Sequence, residues 1–225
     1  MIKYLKTKAA LILIMAIIVA LCGSFVFLQI NTINADAASD EISDAQDVKV
    51  GHITDTHYYP FRLGYYGNNI DTDSDDYFYN YITKTSSKLW LESEAIFDAS
   101  IEKLENSDID YLVLSGDVGQ DGELMSHIDV ANKLRKLQNK IRTNQGNDNF
   151  QIFVVMGNHD LYNPESWRFD NDNGQKTKFF YTTRMDISMI YAGLGYPNIS
   201  NEDATNYYSG LTEVLPSGYE FTNSY

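Results

Sequence analysis

Apolar positions gather in three short runs in the middle of the chain, with two stretches of helical spacing between them. Val48 to Ile53 and Tyr111 to Ser115 are brief runs bounded by polar sequence. Phe150 to Met156 carries only Gln151 as a polar member before it breaks at Gly157. Runs of this length predict strands, and the third predicts one buried on both faces. Between the first two, Phe97, Ile101 and Leu104 recur at i, i+4 and i+7. Between the second and third, Val130, Leu134, Leu137 and Ile141 line one face of a longer helix, for which Ser126 and Asp129 form a capping box. Strand, helix, strand, helix, strand in that order predicts parallel pairing through right-handed crossovers.

Two flanking regions break this rhythm. Tyr58 to Trp90 is rich in tyrosine, asparagine and glycine, has no sustained period, and reads as an insertion lying over the end of the first strand. Its rings either stack on a sugar or base or pack the insertion against the domain. Its acidic cluster, Asp71, Asp73, Asp75 and Asp76, lacks the glycine and glutamate that a calcium loop needs at its sixth and twelfth positions, so it reads as a solvated acidic loop. Past Asp160, Met185 to Ala192 predicts a short helix ended by Gly193, followed by loops rich in tyrosine and glycine.

The amino terminus has a different character. Lys3, Lys6 and Lys8 precede an uncharged run from Ala9 to Ile30, which predicts export. Ala35-Asp36-Ala37 supplies a small-x-small site, so residues 1–37 read as a cleaved signal peptide, in preference to a membrane anchor of sufficient length with its amino end in the cytoplasm. Leu21 before Cys22 is a poor match to a lipidation site. Either main reading makes the rest extracellular or cell-surface, with 38–47 a linker, 48–225 the domain, and membrane contact only through the amino-terminal segment.

Composition narrows the function classes. The chain has 225 residues, 44% of them hydrophobic, enough for one sizeable core, and a formal charge of −14. Loss of residues 1–37 leaves an even more acidic body, which would repel nucleic acid and anionic membranes. The single cysteine, Cys22, lies in the leader, which excludes disulfides and thiol chemistry from the domain.

The chemistry sits where the strands end. The first strand delivers Asp55 and His57, two residues apart, and in extended backbone such a pair points the same way. The second delivers Gly116-Asp117 and the third Gly157-Asn158-His159-Asp160. A parallel sheet brings the carboxyl ends of its strands together, so Asp55, His57, Asp117 and Asn158 can meet as a mixed oxygen and nitrogen ligand set. Asp117, with two oxygens, is the natural bridge between two ions. A hydroxide shared by such ions is a strong nucleophile, and the pair neutralises a phosphoryl group. His159 would protonate the leaving oxygen, its ring oriented by Asp160 or Asp121.

These three motifs, each after a strand and in this order, resemble those of the calcineurin-like metallophosphoesterases. The resemblance covers about Val48 to Asp160. It implies that Asp55 and His57 bind a first metal, that Asp117 bridges both, that Asn158 binds the second, and that His159 assists the leaving group. It further implies two divalent or trivalent ions (manganese, iron or zinc), a phosphate-ester substrate, and a four-layer α/β/β/α sandwich. The family completes its site with a later histidine and a G-H-x-H motif. Here the histidines are His52, His57, His127 and His159, with none after Asp160. His52 reads as a core or backbone-bonded residue and His127 as a surface residue at a helix start.

The expectation is an incomplete sandwich and an exported phosphoesterase of weak activity, with the missing carboxyl-terminal half as a candidate partner. Two alternatives stand: a surface-anchored binding protein or pseudoenzyme using the aromatic insertion, and a remnant of an interrupted gene.

Overall fold

A computed structural model of the chain describes residues 29–32, 47–64, 73–171, 173–211 and 214–215. Strands β1 (Gln29–Thr32), β2 (Lys49–Ile53), β3 (Tyr111–Ser115) and β4 (Gln151–Val155) form one sheet in that spatial order. The pairings of β2 with β3 and of β3 with β4 are parallel, while β1 runs antiparallel to β2. Helix α1 (Phe78–Thr85) lies in the expected insertion, α2 (Ser93–Glu105) and α3 (Leu124–Gln145) are the two crossovers, and α4 (Arg184–Ile190) and α5 (Asn201–Ser209) follow. A two-stranded ribbon, β5 (Trp167–Arg168) with β6 (Thr177–Lys178), separates the sheet from α4.

The alternation of the strands sets what the helices cover. Ile53, Leu112, Leu114, Ile152 and Val154 are buried, as are the α2 and α3 residues Phe97, Leu104, Leu134, Leu137 and Ile141. Burying each such side chain contributes about 1.5–3 kcal/mol. Gly51 shares that face because the side chains of Ile109, Leu112 and Leu104 would crowd a Cβ there. Ion pairs Lys133–Asp98 and Lys140–Glu105 tie α2 to α3 across the surface, a small addition in solvent.

Several expectations need correction. The third strand is not buried on both faces: β4 closes the sheet, Gln151 and Val155 are exposed, and Phe153 is only half-buried. The apolar run that suggested two covered faces has helices on one. Among the described residues there is one main sheet, so the four-layer sandwich is represented here by a mixed α/β unit with a parallel sheet. Helix α3 starts earlier than expected, with Glu123 at its cap position. Ser126 and Asp129 therefore lie inside the helix and form no capping box. The insertion is not a plain loop, because α1 carries Phe78 and Ile82 into the core.

The expected export segment, Ala9 to Ile30, lies outside the described residues except for its last two, and these belong to β1, a strand ahead of the Ala35-Asp36-Ala37 site. No helix among the described residues is long and apolar enough to cross a membrane.

Candidate metal centre at the strand ends

Beyond their strands, the β2 and β3 loops continue to pair. Asp55 N donates to Gly116 O at 3.1 Å, His57 N to Asp117 O at 3.0 Å, Tyr58 N to Val118 O at 2.8 Å, and Gln120 N to Tyr58 O at 3.1 Å. The Thr56 hydroxyl adds a bond to Val118 O at 2.8 Å. This zipper forces unusual backbone. Asp55, His57 and Asp117 have φ of 53°, 41° and 46°, a left-handed conformation that costs about 1–3 kcal/mol in non-glycine residues and persists only where surroundings enforce it. The i, i+2 argument therefore gave the right convergence for the wrong reason, since these two residues are kinked and not extended.

The outcome is compact. One donor atom each from Asp55, His57 and Asp117 lies within 4.8 Å of the others, a spacing that suits three ligands of one ion. His57 Nε2 is 4.0 Å from Asp117 Oδ2, and both side chains are largely buried. Burial, and next the Lys88 ammonium, hold the His57 imidazole below its ordinary pKa. Neutral at physiological pH, it keeps the lone pair that ligation requires.

The β4 loop closes over this group along a tight seam. His159 N donates to Asp117 Oδ1 at 3.0 Å. A Cβ on Gly157 would stand 2.2 Å from Asp117 Oδ1 and 2.4 Å from Asp117 N, so only glycine lets the two loops touch. Asp160 is fully buried, and its two carboxylate oxygens accept Gly119 N at 2.9 Å and Gly157 N at 2.7 Å. It staples the second and third loops and is not the group that orients His159. That place falls to Asp121, whose Oδ1 is 2.9 Å from His159 Nδ1. Asn163 Nδ2 donates to the same oxygen at 3.3 Å and to His159 O at 3.2 Å. Beneath them Glu123, fully buried, accepts Asp121 N at 3.1 Å and the Ser126 hydroxyl at 3.2 Å; burial pushes its carboxyl up to about 8. The His159 ring meets that of His57 edge-on, centroids 5.1 Å apart. Asn158 is exposed on the same loop, between residues that both touch Asp117.

His52 is bonded to a side chain and not to backbone: its Nε2 is 2.6 Å from Ser115 Oγ on β3. His127 is no surface residue. It is completely buried, with Nδ1 3.0 Å from the Tyr191 hydroxyl and Nε2 3.5 Å from Asp160 Oδ1. The segment around α4 packs over the start of α3 and covers it, a tertiary contact invisible in the local pattern. Among the described residues of the aromatic insertion, Tyr58, Tyr59, Phe78 and Trp90 turn inward while Phe61 and Tyr79 stay exposed. Tyr59, Phe78 and Trp90 are buried and form a cluster with Tyr81 and Phe169, centroids 4.8 to 6.0 Å apart, which is the packing alternative. Asp75 and Asp76 are exposed and face Lys84 and Lys176, in keeping with a solvated acidic loop. Asp71 lies outside the described residues.

The family model for calcineurin-like phosphoesterases matches residues 48–215. The chain belongs to this family. No curated protein sequence matches it. The match continues well past Asp160, so the ribbon, α4 and α5 are part of the phosphoesterase domain, although they carry none of its three motifs. Sequence reasoning missed α5, whose signal is present: Ser200 caps it by accepting Asp203 N at 3.0 Å, and Glu202 and Asp203 fill its first turn. Lys88, whose Nζ is 2.7 Å from His57 Nε2, was also missed; a lysine in an aperiodic loop carries no sequence signal.

Proposed function

We propose that the chain hydrolyses phosphate esters by metal-assisted transfer of the phosphoryl group to water. The observation that carries this is the convergence of Asp55, His57 and Asp117 donor atoms within 4.8 Å at the carboxyl ends of parallel strands, in a member of a phosphoesterase family. In this reading Asp55, His57 and Asp117 hold a first ion, while Asp117 and Asn158 hold a second. Manganese, iron or zinc suits such donors. When bound, the ions supply Lewis acidity toward the phosphoryl oxygens and activate water at neutral pH.

The chain's own residues supply the rest. His159, edge-on to His57 and partly exposed, presents Nε2 to the leaving oxygen, to which it gives a proton. Asp121 fixes the ring through Nδ1, so the proton at Nε2 faces the substrate. Asp160 and Gly157 hold the Asn158–His159 loop against Asp117. With two protein donors, one of them neutral, the second ion position is the weaker, and turnover by these residues alone is slow. We further propose that the domain acts outside the cytoplasm, on the strength of the three lysines and the uncharged run from Ala9 to Ile30.

The test is metal content and hydrolysis of an aryl phosphate and an aryl phosphodiester with added manganese. Asp117→Asn should lower bound manganese at least about a hundredfold in affinity, since that carboxylate serves both positions. His159→Ala should keep the metal and lose turnover. Equal manganese binding in wild type and Asp117→Asn would refute the site.

A further inference from the structure

The described structure gives the His57 lone pair a partner of its own. Lys88 Nζ lies 2.7 Å from His57 Nε2, the nitrogen that stands 4.0 Å from Asp117 Oδ2 in the group of Asp55, His57 and Asp117. A neutral imidazole has one in-plane lone pair on that nitrogen, which can accept an ammonium N–H or bind a cation but cannot do both. Two carboxylates and an imidazole held this close also lack a positive charge of their own, and the ammonium provides one.

The placement of Lys88 is built. Its backbone N–H donates to Ser86 Oγ at 3.0 Å, and the same oxygen accepts Trp90 Nε1 at 2.8 Å. Trp90 is buried in the aromatic cluster, and Ser93, at the start of α2, joins Trp90 O at 3.0 Å and Tyr59 N and O at 3.0 and 3.2 Å. The stem of Lys88 is thus fixed at its base beside the site by partly buried contacts, while the long side chain can swing without moving the backbone. This offers a use for the inserted segment: its aromatic core anchors one cation at the metal group.

We propose that Lys88 competes with the first metal ion for His57 Nε2, holding the site in its metal-free form and raising the metal concentration needed to load it. This rests on the metal reading above. Replacing Lys88 should tighten metal binding, because apparent affinity is reduced by the fraction of molecules in which the lysine covers the ligand.

Manganese affinity of the full chain would be measured by calorimetry for wild type, Lys88→Ala and Lys88→Gln, with the last retaining the stem without the charge. Both variants should bind manganese about tenfold more tightly. In parallel, nitrogen NMR of the metal-free proteins should show the His57 Nε2 resonance shifted in both variants, while that of His52 stays in place. Manganese affinity that is unchanged or weaker in both variants, with wild type still binding, overturns the role of Lys88 alone. Failure of all three proteins to bind manganese overturns the metal reading along with it, and an unshifted His57 resonance overturns the contact itself.

Discussion

The two sides of the candidate site are built differently. On one, Asp55, His57 and Asp117 are held by three left-handed residues and a run of backbone hydrogen bonds between two loops, with the His57 and Asp117 side chains largely buried. On the other, Asn158 is exposed and the His159 side chain partly so, positioned by side-chain partners of which Asp121 is the nearest. The difference fits the tasks proposed above: the first ion's ligands would gain from a rigid, preorganised cage, whereas a group that hands a proton to a leaving oxygen must face an open space, and the exposed Asn158 beside it would be the less rigid ligand of the second ion. Backbone strain marks the first side and solvent access the second.

The comparison can be broken most forcefully at Asp160, which holds both sides together. Asp160→Ala leaves the buried Gly119 N and the partly buried Gly157 N without their carboxylate, and two such bonds to a charged group are together worth about 4 kcal/mol. Denaturant unfolding should show that loss, and manganese affinity should fall with it. A variant of wild-type stability would mean that the two loops are joined by something else.

Next in size is the support beneath the open side. The Glu123 carboxyl titrates near 8 in the folded chain against an ordinary 4.5, so between those values the unfolded chain releases a proton that the folded one keeps. Stability therefore falls as pH rises from about 4.5 to about 8, and is fully present below that window. Glu123→Gln should flatten this slope in unfolding experiments across the same range. Parallel curves for the two proteins would contradict it.

Smaller again is the seam itself. Gly157→Ala drives a methyl group into the Asp117 carboxylate and backbone, and the loops must part, at about 2 kcal/mol of stability. The sharper readout is metal affinity, which should drop because Asp117 must turn away. The mildest change separates the two sides cleanly: Asp121→Asn should lower kcat roughly tenfold by leaving His159 unoriented, with manganese affinity and KM unchanged. Loss of metal binding in that variant would erase the distinction between the sides.

Much of this arrangement is written locally. The strand at Tyr111 to Ser115, the helix containing Phe97 and Leu104, and the loops that carry Asp55, His57, Asp117 and His159 follow from short-range patterns: an apolar run for each strand, a 3.6-residue period for each helix, and polar motifs where the runs stop. Parallel order then implied that distant motifs would meet. What the sequence could not disclose depends on contacts between segments far apart. Asp121 and Asp160 both lie close to His159 in the motif reading, and only the folding of the second loop against the third gives one the ring and the other two backbone amides. His127 reads as a surface residue until the segment around α4 covers it. For Phe78 and Trp90 of the insertion, stacking on a ligand and packing against the domain both stand until Tyr59 and Phe169, more than a hundred residues apart, close around them. Periodicity records which face of an element is apolar. Which partner covers that face, and which charge is left beside a ligand atom, is set by the tertiary structure, because burial and electrostatics depend on distance in space and not on separation along the chain.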